Sequence, residues 1–235
     1  MAGREAANAS TAPRGLGIVT LVGGGLAGGA VAFSVATSGE VAAMPEELTM
    51  LIWYAIRVTG VTAYIALWLT TVAGLCISGQ LGGKWLPGAL LYPLHQLGDL
   101  ALSLMVLHAA LLLGDHYAQF TPASLVVPFT AVYRPEWTGL GIIALYLSAI
   151  VFWSVHPRSR IGYRAWHAIH LVSFAAFALA LAHGFASGSD SGSAAMRLMY
   201  LVTGQIAIVL VSLRIWRQRP KTKAGERPRP AAARG

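Results

Sequence analysis

The chain has 235 residues, 56% of them hydrophobic and only 11% charged, where soluble domains carry about 25%, so too few charges remain to solvate a globular surface. That composition excludes a soluble enzyme and implies a polytopic membrane protein. The formal charge of +8 needs no nucleic-acid partner to explain it, because the basic residues stand where membrane insertion places them.

Six segments meet the length test of about 17 to 25 apolar residues: 15–37, 50–78, 89–113, 138–155, 166–186 and 194–216. Residues 1–14 form a short N-terminal segment carrying Arg4 and Arg14. The run 15–37 reads two ways. It could be a signal peptide ending near Ala36-Thr37-Ser38, but it exceeds the usual apolar stretch of about 7 to 15 residues. Gly24/Gly28 and Gly25/Gly29 also supply the small-residue spacing of packed membrane helices, which favours a retained span. No strand precedes these glycines, so they do not form a nucleotide-binding loop. After Trp216, residues 217–235 are rich in Arg, Lys, Pro and Ala, and are expected to be a disordered basic tail on anionic lipid.

Charge asymmetry orients the spans. With the N-terminus inside, the inner side gathers Arg4, Arg14, Lys84, Arg158, Arg160, Arg164 and the tail, whereas only Arg134 and Arg197 fall outside. The expected fold is an all-α membrane protein, a six-helix transmembrane bundle with both termini cytoplasmic, multi-pass in the cell membrane. Trp53, Trp85, Trp137, Trp153, Trp166 and Trp216 fall mostly near span ends, as an interfacial aromatic belt requires.

The histidines carry the functional signal. His95 and His108 lie thirteen residues apart in the third span, and so do His170 and His183 in the fifth. Hydrocarbon rejects ionisable side chains unless they face protein, cofactor or water. Thirteen helical residues rise about 19.5 Å, most of the way through a core of about 30 Å. Both spans run from inside to outside, so the pairs cross between helices: His95 with His170 for an inner haem iron, His108 with His183 for an outer one. Thirteen residues also fall about 140° short of four full turns, which places the two haems on different sides of the line joining the third and fifth spans. The lone Cys76 excludes an internal disulfide, and no CxxCH motif is present, so such haems are b-type.

Other candidates carry two readings each. Arg57 lies inside the outer boundary of the second span, where it meets an outer-haem propionate or snorkels to the interface. Arg164 stands at the inner end of the fifth span, near inner propionates or simply where the positive-inside pattern puts it. His167 is a propionate contact or a membrane-boundary residue, and Asp99 a hydrogen-bond partner of His95 or a packing contact. His116 with Asp115 in the outer loop carries a reading as a holder of ferric iron or of a donor to it, but two polar loop residues are more often just a loop; His156 reads as a solvated loop residue.

The sequence Arg57-Val58-Thr59-Gly60, His95 and His108, the run Arg164-Ala165-Trp166-His167-Ala168-Ile169-His170, and His183-Gly184-Phe185-Ala186-Ser187-Gly188-Ser189-Asp190 together resemble the ferric reductase-like transmembrane domain. That family includes iron reductases, the membrane part of NADPH oxidases and the haem subunit of a bacterial methionine-sulfoxide repair system. The resemblance covers about residues 50–216. It implies an electron conduit with two b haems ligated by His95, His108, His170 and His183. Ferric reductases and NADPH oxidases continue into a flavin and nicotinamide domain, whereas this chain ends some twenty residues beyond Trp216. Electrons are therefore expected from a separate flavoprotein, ferredoxin or quinol, with FAD or FMN entering through a partner or by direct binding, and are expected to leave to an external acceptor. The other reading is a haem-free transporter or assembly subunit whose intramembrane histidines carry protons or metal ions.

Overall fold

The computed structural model describes residues 45–78, 86–115, 117–155 and 157–218. The expected span 15–37, most of the basic tail, His116 and His156 lie outside the described residues. The described chain is helical: α1 (Glu46–Ser78), α2 (Leu86–Leu111), α3 (Pro122–Val126), α4 (Pro135–Trp153), α5 (Arg158–Ile161), α6 (Tyr163–Ser187) and α7 (Ala194–Gln218). Short 3-10 turns follow α2 at Leu112–Gly114 and α6 at Ser189–Gly192. Five helices are long and apolar enough to cross a membrane: α1, α2 with its 3-10 turn, α4, α6 and α7.

Four of them, α1, α2, α4 and α6, begin before the apolar windows do. Glu46 and Glu47 occupy the first turn of α1, where carboxylates oppose the positive end of the helix dipole. Pro135 opens α4 at a position where its missing N–H goes unused, behind Arg134 in the left-handed conformation at φ 44°. Gly162, at φ 79°, makes the turn into α6, and its carbonyl accepts from the Trp166 N–H.

Two hairpins make the frame. α1 packs along α2, and α4 along α6; the hairpins then meet through α1 against α6 and α2 against α4. These four helices form a ring in which α2 and α6 stand diagonally, with at most a glancing direct contact. α7 lies outside the ring against α1. Small residues sit where helices touch: Ala63, Ala66, Ala101, Ala144 and Ala176 are all buried. The main buried cluster joins α1, α6 and α7 through Tyr64, Phe177, Tyr200 and Ala207. Within it the Tyr64 and Thr203 hydroxyls are hydrogen-bonded at 2.6 Å, and Trp68 Nε1 donates to the Thr203 carbonyl at 3.1 Å. Many other large apolar side chains point outward. Val58 and Leu201 are each 64% exposed, as lipid-facing positions are and water-facing ones are not.

Candidate functional site: a cavity between two histidines

The ring of helices encloses a cavity of about 480 Å³, lined by α1, α2, α4, α6, the start of α7 and the segment joining α2 to α4. That volume falls in the range of about 300 to 1,000 Å³ common for cofactor pockets. His108 enters from α2 and His183 from α6, across the diagonal. Their ring centroids are 6.4 Å apart, with planes at 76°.

Each ring is held by the same device. His108 Nδ1 is 2.9 Å from the Ile56 carbonyl on α1, and His183 Nδ1 is 2.9 Å from the Trp137 carbonyl on α4. A carbonyl only accepts, so Nδ1 bears the proton and the Nε2 lone pair of each neutral ring is left for a ligand. Four residues after each carbonyl stands a glycine. A Cβ on Gly60 would lie 2.9 Å from His108 Cε1 and Nδ1, and one on Gly141 would lie 2.6 Å from His183 Nδ1. The glycines are notches that let each imidazole come close against the neighbouring helix, so that its Nδ1 reaches that backbone.

The separation of the rings suits a metal between them. Two metal–imidazole bonds of about 2.0 to 2.1 Å, with about 1 Å more from each nitrogen to its ring centre, put the centroids about 6 Å apart. Among the described residues no group of three or more His, Cys, Asp or Glu side chains gathers as a bare tetrahedral metal ion would need. The two imidazoles could hold a metal whose other ligands belong to a bound group, as in a metal macrocycle.

The cavity is polar at one end only. Arg57, Ser187, Ser189, Asp190 and Ser191 line that end, and the rest is mostly apolar, with Val61, Leu67, Met105, Leu145 and Ala180 among its walls. Ser187 Oγ is buried there without a hydrogen-bond partner, an unmet polar atom in the wall. Arg57 is engaged by the protein itself. Its Nη1 lies 3.0 Å from Asp190 Oδ1, its Nε and Nη2 donate to Ser189 Oγ at 3.1 and 2.8 Å, and its guanidinium carbon sits 3.2 Å over the Trp53 ring. Five donors on a guanidinium leave capacity for a further carboxylate.

The second expected pair is arranged differently. His95 on α2 and His170 on α6 are both exposed, and neither a hydrogen bond nor a ring contact joins them. His170 stacks on Trp166 at 5.2 Å and 20°, and His167 lies 5.8 Å from the Tyr163 ring. Thus His108 lines the cavity, while His95, on the same helix, is exposed and is not among the cavity's lining residues. Arg164 is exposed at the start of α6, at the opposite end from Arg57, and Asp99 is half-buried on α2. Asp115 Oδ1 accepts from the Tyr117 N–H at 2.9 Å and shapes a turn at the cavity lip.

Sequence reasoning missed Gly141, Ser187 and the Tyr64 and Tyr200 rings in the wall. A glycine inside an apolar helix at the depth of a histidine was the available signal for the first. The architecture is that of a helical bundle with a ligand-sized site in its core. Comparison of the chain with protein-family models, curated proteins and solved structures gives no match.

Proposed function

We propose that the chain is a di-haem b transmembrane electron-transfer protein resembling the ferric reductase-like transmembrane domain. His108 and His183 would hold one haem iron, and His95 and His170 a second. The observation that carries this reading is the matched pair of imidazoles, each with Nδ1–H tied to a carbonyl and Nε2 left for the cavity. When bound, haem supplies reversible one-electron chemistry at its iron. The chain's own residues do the positioning. Gly60 and Gly141 set ring height, the Ile56 and Trp137 carbonyls fix the tautomer, and the polar lip at Arg57, Ser187 and Ser189 favours carboxylates at that end.

Orientation follows from charge. Arg158, Arg160, Arg164, Arg214 and Arg217 cluster at the end opposite Arg57, so that end is assigned to the cytoplasm and the His108/His183 cavity to the outer side. Residues 15–37 would make the sixth span and bring both termini to the cytoplasm. Electrons would enter from a cytoplasmic flavoprotein or ferredoxin, or from a membrane quinol, and leave to an outer acceptor such as ferric iron, dioxygen or a redox enzyme. The test is the absorption spectrum of the full chain purified from haem-replete cells. A Soret band that sharpens and shifts on dithionite, with two haems per chain, is expected. Protein that purifies without haem would reject the reading in favour of proton or metal-ion passage through the histidines.

A further inference from the structure

The segment between α2 and α4 does not have the chemistry of a water-facing loop. From Phe120 to Tyr133 it contains no charged residue, and its exposed side chains include Val126, Val127, Phe129 and Val132, the last 79% exposed. Loops that run over an aqueous surface are polar, and this one is apolar on its outside.

Its depth can be read from α4. The nineteen residues of α4 span about 28 Å, nearly the full hydrocarbon thickness, so Pro135 lies near one boundary. Tyr146 is eleven residues further on, about 16 Å below that boundary. Its hydroxyl donates to the Val126 carbonyl. A tyrosine in a helix leans back toward the helix start and covers about 6 Å, which leaves Val126 about 10 Å inside the hydrocarbon. Phe129 is seated over Gly139, where a Cβ would come within 2.3 Å of its ring, about 6 Å below the same boundary.

Backbone at that depth has to be satisfied internally. Here the Val127 N–H donates to the Ala123 carbonyl at 2.8 Å, and Pro122 and Pro128 have no N–H to satisfy. The Val126, Val127 and Tyr133 carbonyls accept from the hydroxyls of Tyr146, Thr130 and Thr138. The arrangement also serves Tyr146, whose hydroxyl would otherwise stand unmet near the middle of the bilayer. Meanwhile Phe120 and Leu125 line the cavity.

We infer that residues 120–133 are sunk into the acyl chains of the leaflet at the Arg57 end. Val126, Val127 and Phe129 then lie against lipid tails, continuous with the lipid-facing side of α4, and the segment is the lipid-side wall of the histidine cavity. This rests on the span of α4 and not on any cofactor. The test is a nitroxide on Val127→Cys, in a Cys76→Ala background of the full chain, reconstituted in phosphatidylcholine vesicles. Val126→Cys serves if that variant fails to fold. References are Ile150→Cys on α4, 54% exposed, and Tyr117→Cys, 84% exposed. Power saturation is expected to show relaxation by dissolved oxygen exceeding that by a water-soluble nickel chelate several-fold, as at Ile150, with the reverse at Tyr117. Nickel relaxation at position 127 matching Tyr117 would overturn the inference. Exclusion of both reagents would overturn it too, because protein, whether residues 15–37 or a partner, would then cover the surface.

Discussion

Gly141 lies so close beneath His183 that a methyl group on it would stand 2.6 Å from the ring nitrogen that bonds the Trp137 carbonyl. Gly141→Ala therefore has to push the imidazole off its carbonyl, at about 1 to 3 kcal/mol by analogy with other overpacked sites. The His108 and Gly60 contact is looser at 2.9 Å, so Gly60→Ala is expected to be milder. Thermal unfolding in detergent, read alongside the haem absorption of each variant, measures both effects. Equal tolerance of the two alanines would show that neither ring depends on its notch.

Replacement of His108 or His183 by alanine should remove one haem and leave the other, whereas His95→Ala or His170→Ala should remove its counterpart. Redox titration followed by absorbance checks this: each class of variant keeps a different single midpoint. Loss of both haems from every variant would undo the pairing across α2 and α6.

Arg57 and Asp190 give opposite signs in one experiment. The pair is partly exposed, 22% and 43% by side chain, so its contribution to stability is within about 1 kcal/mol. Its effect on a nearby redox centre is larger in diagnostic value. If haem binds between His108 and His183 as proposed, Arg57→Gln removes positive charge beside it, disfavours the reduced state and is expected to lower its midpoint, while Asp190→Asn is expected to raise it. Midpoints unchanged in both variants would mean that Arg57 only ties α1 to the turn after α6.

The Tyr64 hydroxyl is bonded to Thr203 at 2.6 Å in the buried contact of α1 with α7. Tyr64→Phe should destabilise by about 0.5 to 1.5 kcal/mol, and Tyr64→Ala by about 3 to 5, because the second also empties the space beside Phe177 and Tyr200. Denaturation monitored by tryptophan fluorescence separates the two.

How far these features were legible in the sequence differs with the physics behind each. The spans were legible because hydropathy sums over some twenty residues, and five of the six fall on helices of the described structure. Most of their starts were not: α7 begins at Ala194 as expected, but α1, α2, α4 and α6 begin three or four residues early, and at α1, α4 and α6 Glu46, Pro135 and Tyr163 belong to helix-start chemistry and not to the apolar run. Matching depth in the sequence puts His108 and His183 at one level, and their ring centroids are 6.4 Å apart. Nothing in a single sequence showed that His183 would meet Gly141 or that Arg57 would meet Asp190, since both contacts depend on how the helices are rotated. Residues 120–133 escaped notice because fourteen uncharged residues with two prolines are too short and too broken for a span.

The hydrogen bonds from His108 and His183 to Ile56 and Trp137 have a consequence for affinity. Fixing a mobile side chain on binding costs about 0.5 to 1.5 kcal/mol, and here both rings are already held by Nδ1, in the tautomer that a metal bound at Nε2 would require. Two such rings retain about 1 to 3 kcal/mol of binding free energy, or roughly 5- to 150-fold in dissociation constant. The fold therefore meets the ordering entropy of the site when the helices assemble, before any ligand enters the bilayer.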